Sequence, residues 1–309
     1  MKLKKITSLF LVAIIVIAPL AAKGNKEEIK RFDSTLSIID SRDVTISLTE
    51  KPTKIVSLSP NITEILFELN LGDYVVGRTD YCDWPLEASF VESMGDLFSP
   101  SIEKIVSLNP DIVIISNLGQ SQTIEALELA SIKVAFLDEV QNMEGTYQII
   151  EKVAKITATE EKGAQIIGEI KNELAQVKAS LGNTKIASVY YVAGFGEWGD
   201  YTATQETFIN DIINLAGAKN IAFDAFNWSF QKELIVERDP DVIILPPLIG
   251  STFEQTVKEF STQEPYNSLT AVKKNRFIAI DNSMMERQGP RSGQAVKQLS
   301  EKLKEIVGK

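Results

Sequence analysis

Apolar residues line one face of a single uninterrupted run from Thr159 to Gly182, TEEKGAQIIGEIKNELAQVKASLG. Ile167, Ile170, Leu174, Val177 and Leu181 step by three and four, the spacing that aligns side chains along a helix. No proline interrupts the run. Thr159 is placed to cap it, Glu160 and Glu161 suit the positive end of its dipole, and Gly182 can take the left-handed position that ends it. Such a helix would reach about 33 Å, the width of a small domain, and can therefore join two bodies as well as decorate one.

On either side of this helix, short apolar runs alternate with amphipathic stretches. LSIIDSRDVTISL (36–48) reads as a hairpin turning at Ser41-Arg42-Asp43. KIVSLSP then gives a buried strand, a helix through Ile65 and Leu69 capped by Asn61 or Thr63 and stopping at Gly72, and the strand YVVG. A short helix after Ser99, the strand DIVII (111–115), a helix through Glu125 and the strand KVAFLD (133–138) continue the pattern, and a helix over 147–156 leads into the long one. Beyond Gly182 the same kind of alternation restarts with KIASVYYVAG, a helix over 206–215, a short helix after Ser229, DVIILPP, a helix around Val257, RFIAID and a closing amphipathic helix over 292–307. Strands alternating with helices predict parallel α/β sheets.

The two halves repeat each other. EKIVSLNPDIVII from Glu103 and ELIVERDPDVIIL from Glu233 pair Ile105 with Ile235, Val106 with Val236, Pro110 with Pro240 and Asp111 with Asp241, all at one offset of 130 residues. Ser99 and Ser229, expected as the N-caps, share that offset. Matching elements in the same order predict two similar α/β lobes. The expected organisation is a leader at 1–24, a first lobe at 25–158, a bridging helix at 159–182 and a second lobe at 183–309, with a ligand cleft between the lobes.

Composition sharpens this picture at the N-terminus. Lys2, Lys4 and Lys5 precede an apolar run from Leu9 to Ala22, and Ala22-Lys23-Gly24 offers a signal peptidase site, so export is expected. The alternative is an uncleaved anchor, against which Pro19 counts. The leader has no cysteine to carry a lipid, and Cys82, alone in the chain, forms no internal disulfide. The net charge is −10, and removing residues 1–24 takes it to −14, which makes nucleic acid and anionic membrane poor partners. The chain has no histidine, which removes His-based triads and histidine ligation of zinc or haem.

Gly194-Phe195-Gly196-Glu197-Trp198-Gly199 matches a dinucleotide fingerprint after a strand, but the polar turn Asp200 to Thr204 stands where a helix should open. A glycine-rich loop with Trp198 and Tyr201 is better read as cleft lining. Tyr81, Trp84, Trp198, Tyr201 and Trp228 all lie beside turn residues, outside helical stripes. With Arg287 in MERQGPRSG they suggest a wide, flat apolar ligand with a polar or anionic edge. Glu103 and Glu233, each four residues after a serine, could complement helix dipoles or engage a two-fold-symmetric basic partner. Asp80, Asp83 and Glu286 would serve an exported enzyme using the same cleft, although no nucleophile–base motif accompanies them.

KIVSLSPNITEILFELNLGDYVVGRTDYCDWP, followed by SIEKIVSLNPDIVI, resembles the first lobe of the periplasmic binding proteins of ABC importers for cobalamin, ferric siderophores and haem. TATQETFINDIINLAGAKNIA, KELIVERDPDVIIL and ERQGPR resemble the second lobe. The resemblance implies a monomeric binder, not an enzyme, with two lobes on one rigid helix and no resident cofactor. It implies that Glu103 and Glu233 dock on arginines of the permease subunits. The nearest pattern looks like the cobalamin-binding branch, where Tyr81, Trp228, Arg287 and, nearby, Tyr201 match ligand-contacting positions. The chain departs from that branch at Leu97-Phe98 and at Leu118, and a ferric siderophore is the alternative ligand, with haem behind it.

Overall fold

The computed structural model describes residues 35–116, 120–182, 186–196, 199–248 and 250–308. The leader over 1–24, Leu118 and Trp198 lie outside these residues. Two four-stranded parallel sheets and one antiparallel hairpin carry the chain.

The hairpin is β1 (Leu36–Ile39) and β2 (Thr45–Leu48). The first lobe continues with β3 (Ile55–Ser57), α1 (Pro60–Glu68), β4 (Val75–Arg78), α2 (Ile102–Leu108), β5 (Ile112–Ser116), α3 (Ser121–Leu129), β6 (Val134–Leu137) and α4 (Met143–Ile156). The long helix α5 spans Glu160–Leu181. The second lobe runs through β7 (Ala187–Tyr191), α6 (Phe208–Leu215), β8 (Ala218–Asn220), α7 (Lys232–Arg238), β9 (Val242–Ile244), α8 (Phe253–Thr262), α9 (Thr270–Lys273), β10 (Phe277–Ile278), α10 (Asn282–Glu286) and α11 (Ser292–Val307). No helix among the described residues is long and apolar enough to cross a membrane.

The sheets have one topology. Their orders are β4-β3-β5-β6 and β8-β7-β9-β10, so in each lobe the first strand sits between the second and the third. The chain therefore reverses its winding beside β3 and beside β7, and ligands of open α/β sheets bind beyond the strands' carboxyl ends at such points. Every residue of β5 and β9 is buried, as expected for strands covered by helices on both faces.

The physical basis of the 130-residue repeat is visible at its ends. Asn109 and Asp239 close α2 and α7 in left-handed conformations, with φ of 47° and 35°. Two residues on, Asp111 accepts from the amides of Thr53 and Lys54 at 2.7 and 2.9 Å, and Asp241 accepts from the amide and hydroxyl of Ser188 at 2.8 and 2.7 Å. Each aspartate thus ties the start of its strand to the neighbouring first strand. The expected caps at Ser99 and Ser229 are displaced: the N-caps are Ser101, whose hydroxyl accepts from Lys104 N, and Gln231. Asn61 and Thr63 do not cap α1 either, because Pro60 starts the helix at N1 and Ser59 precedes it. The helix ends at Glu68, before the expected stop at Gly72, and Asn70 takes the positive φ.

α5 packs against α4 of the first lobe and against α11 and α6 of the second. Gly163, Ile166, Ile167, Ile170 and Val177 form its buried face, with Leu174 and Leu181 partly covered. The hairpin is stitched to the edge strand β6, where Ser41 N donates to Phe136 O at 2.8 Å and the buried Asp40 carboxylate accepts from Phe136 N.

Candidate functional site

A cleft of about 650 Å³ lies between the lobes, and its first wall is built from the segments that follow strands. Ser59, Pro60 and Asn61 follow β3, Tyr81 follows β4, Ser116 ends β5 and Asp138 follows β6. The second wall brings Glu206 to Ile209 at the start of α6, Trp228 before α7, and Glu286 to Gln288 at the end of α10. Leu97 and Phe98 close one side.

The floor is a polar relay crossing from lobe to lobe. Ser116 N donates to Ser59 Oγ and Ser116 Oγ to Asn61 Oδ1, both at 2.8 Å, and Asn61 Nδ2 reaches Gln288 O at 3.4 Å. Gln288 Nε2 in turn donates to Val140 O at 2.9 Å and Asn142 O at 3.1 Å. These groups are satisfied, as buried polar groups must be. Met143 N also crosses the seam, donating to Asp211 Oδ2 at 2.8 Å.

Trp228 is held on the rim by an unusual backbone. Asn227 and Trp228 both have φ of 57°, a region that costs non-glycine residues free energy and persists only where the surroundings enforce it. Here Trp228 N donates to Thr204 Oγ1 at 3.1 Å and Trp228 O accepts from Thr202 N at 3.0 Å.

Carboxylates dominate the cleft's charge. Among the described residues, Asp138, Glu206 and Glu286 line it, against a single cation, Arg287. Burial pushes the Glu286 carboxyl above its usual range, opposed by a hydrogen bond from Asn282 and by the charge of Arg287. Burial, aided by neighbouring Glu139, does the same to Asp138. Arg287 is itself committed: its guanidinium donates to Glu64 at 3.0 Å, to Asp83 at 2.8 Å and to the Tyr81 carbonyl at 3.2 Å. Burial favours its neutral form, but Asp83 and Glu64 outweigh that and hold it charged.

The structure therefore gathers Tyr81, Trp228 and Arg287 in one cleft. Trp84 and Tyr201 are exposed elsewhere. Trp84 lies under the guanidinium of Arg291, 4.6 Å from its ring centroid. Tyr201 pairs with Gly194 and Ser229. Its ring lies across the glycine loop, such that a Cβ on Gly194 or Gly199 would come within 3.1 or 3.2 Å of it. The glycines thus admit a tyrosine ring, and the next α-helix opens at Phe208, past the polar turn 200–204. Cys82 is a buried thiol beside Thr79, raised by desolvation. Of the carboxylates considered for an enzyme, Glu286 reaches the cleft, Asp83 pairs with Arg287 and Asp80 accepts from Ser93.

Glu103 and Glu233 occupy the second position of α2 and α7, exposed on different lobes, and Val106 and Val236 lie one turn further along, equally exposed. The polar residues Ser59, Asn61, Ser116 and Asp138 were not assigned to the cleft from sequence, where Asn61 reads as a helix cap. Their one signal is position, at the carboxyl ends of successive parallel strands.

Paired α/β lobes of one topology, bridged by a helix and facing each other across a cleft, define a two-lobed ligand-binding architecture. Residues 55–284 match the periplasmic binding protein family, and the chain belongs to it. It is 29% identical to an uncharacterised ABC transporter substrate-binding lipoprotein, YvrC, of Bacillus subtilis, over 97% of this chain and 98% of that one. It is 26% identical to a cobalamin-binding protein of Halobacterium salinarum, over 82% and 69%. Among solved structures, the periplasmic haem-binding protein RhuT of Roseiflexus sp. RS-1 superposes with a TM-score of 0.72 at 25% identity, covering 82% of this chain and 98% of that one.

Proposed function

We propose that this protein is the extracytoplasmic substrate-binding component of an ABC importer, that it captures a corrinoid in the cleft between its lobes, and that it delivers the ligand to the permease subunits. The observation that carries the ligand class is the charge of the cleft. Among the described residues three carboxylates line it and the one arginine is already paired, so an anionic ferric chelate or haem propionates would meet repulsion. A corrinoid presents neutral amide donors around a flat apolar ring, which suits carboxylate and carbonyl acceptors flanked by Tyr81, Phe98 and Trp228. The relatives carry binding rather than enzymatic names, and the second face of the function is delivery, for which Glu103 and Glu233 are the candidate contacts, one per lobe. Export by the leader, or tethering by an uncleaved one, places the protein outside the cytoplasm.

Tyr81, half-exposed at the cleft, favours a second reading, since a tyrosine oxygen can ligate ferric iron in haem. Calorimetric titration against cyanocobalamin, cobinamide, a ferric siderophore panel and haemin separates the two. Saturable corrinoid binding is expected, with ligand recovered unchanged, and Trp228→Ala should weaken it more than about tenfold, as loss of a large aromatic anchor does. Tight binding of haemin or a siderophore with corrinoids inert would overturn the ligand assignment.

A further inference from the structure

Arg287 and Arg291 flank the turn between α10 and α11, and both converge on one carboxylate of the opposite lobe, the buried Glu64 of α1. Arg291 donates to it from two nitrogens at 2.9 and 2.6 Å, and Arg287 from one at 3.0 Å. From that shared anchor the two guanidinium groups reach outward to the same short loop after β4. Arg287 takes the Asp83 carboxylate and the Tyr81 carbonyl, and Arg291 covers the face of Trp84. Tyr81 and Arg287 line the cleft, whereas Asp83, Trp84 and Arg291 do not.

A loop gripped at three of four consecutive residues by one side of the seam is not placed by its own lobe alone. We propose that Arg287 and Arg291 form a clamp, anchored on Glu64, that fixes the Tyr81–Trp84 loop as a wall of the cleft. They are positioning residues: Arg287 acts on the ligand through Tyr81, and Trp84 serves as the platform for Arg291. The proposal rests on the ligand occupying this cleft, and it differs from a direct anchor role for Arg287 in what Asp83 does. A direct anchor needs no Asp83; a clamp does. Asp83 is largely exposed, so removing it leaves the core intact.

The test measures cyanocobalamin affinity by calorimetry for Asp83→Ala, Arg287→Met, Tyr81→Ala and the two doubles with Tyr81→Ala, beside Trp228→Ala. Hydrogen–deuterium exchange of residues 79–85 in the ligand-free proteins provides a readout that needs no ligand. Asp83→Ala should weaken binding about tenfold with its unfolding transition unmoved, and both it and Arg287→Met should lose most of their effect once Tyr81 is alanine. Exchange in the loop should rise in both single variants. Unchanged exchange in both would overturn the clamp, as would an Arg287→Met cost that persists in full without Tyr81 while Asp83→Ala costs nothing. If cyanocobalamin fails to bind the unaltered protein, or if Trp228→Ala binds normally, the ligand reading fails instead, and the exchange data alone decide the clamp.

Discussion

Removing the Glu64 carboxylate tests how strongly the lobes are joined. Its side chain is 2% exposed, and the arginines it holds are 15% and 10% exposed, so three charge-assisted hydrogen bonds lie largely out of water. In Glu64→Ala both guanidinium groups stay in the seam with fewer partners, and stripping one member from a buried pair costs about 3–5 kcal/mol. Two features pull the figure to the low end. Arg287 keeps Asp83 at 2.8 Å, and Arg291 keeps Asp281 and Ser283, both at 3.0 Å. A loss of about 3 kcal/mol is therefore expected. Most of it should come from the stranded cations rather than from the bridge's own worth, so Glu64→Leu combined with Arg291→Leu should recover a good part. Urea unfolding at pH 7, followed in parallel by tryptophan fluorescence and far-ultraviolet circular dichroism, measures it, with unchanged slope as the condition for reading midpoints as stability. A Glu64→Ala cost under about 1 kcal/mol would place the seam in the class of exposed ion pairs and refute the reasoning. So would a double variant less stable than the single one.

Further outcomes follow from the same geometry. Proline at Leu174 removes a helical hydrogen bond at mid-span of α5 and should cost about 3 kcal/mol or more, read by thermal unfolding; an unmoved transition would mean the helix is not a structural bridge. Reversing Glu103 and Glu233 together to lysine should weaken uptake into vesicles containing the permease while leaving ligand affinity in solution unchanged, each single reversal doing less. Normal uptake by the double variant would return both residues to helix-end complementation. Because burial raises the Glu286 pKa, the folded state favours its protonated form, and wild-type stability from this group falls as pH climbs from the ordinary value of 4.5 through the raised one. Glu286→Gln does not titrate, so its melting temperature relative to wild type should rise between pH 4 and pH 7, and an offset that is the same at both would contradict the assignment.

The fold was legible where burial is periodic. Residues 112–115 form a continuous apolar run because β5 is covered on both faces, and the Pro-Asp pairs recur because each aspartate pins a strand to its neighbour. β8 was not legible: Ala218–Asn220 is three residues long with an exposed lysine in the middle, and only its place beside β7 makes it a strand. The caps fell elsewhere because α2 opens at Ile102 behind Ser101, whose hydroxyl caps it, and α1 opens at Pro60, which has no N–H to be capped. In the cleft, adjacency to turns identified aromatics free of helical stripes, yet it could not say which way each ring falls. Tyr81 and Trp228 turn inward, whereas Trp84 is taken by Arg291 and Tyr201 by the glycine loop. The commitment of Arg287 was beyond reach for a related reason: its partner Glu64 is 223 residues away, and such pairings belong to the tertiary fold rather than to any local pattern.

Close packing of the long helix sets how the lobes can move. A Cβ on Gly163 of α5 would lie 2.6 Å from the Cβ of Ala154 in α4, so α5 presses on the first lobe at near-backbone distance. On the other side, a Cβ on Gly293 of α11 would sit 3.2 Å from the Cα of Ile170. The bridging helix is thus seated against each lobe by a missing side chain, and interiors packed this tightly do not deform continuously. Relative motion of the lobes is left with two routes, bending α5 itself or parting the seam at Glu64. Bending a continuous helix sharply has identifiable causes, and α5 contains no proline to provide one. Parting the seam separates a buried carboxylate from two arginines and breaks the Asn61–Gln288, Gln288–Val140, Gln288–Asn142 and Met143–Asp211 hydrogen bonds that cross it. Either route breaks packed or hydrogen-bonded contacts at several places together, so wide opening is expected to be rare. The cross-lobe contacts with the least buried area to lose are those of Arg287 and Arg291 with the Tyr81–Trp84 loop, where Tyr81, Asp83 and Trp84 are exposed while Glu64 is not.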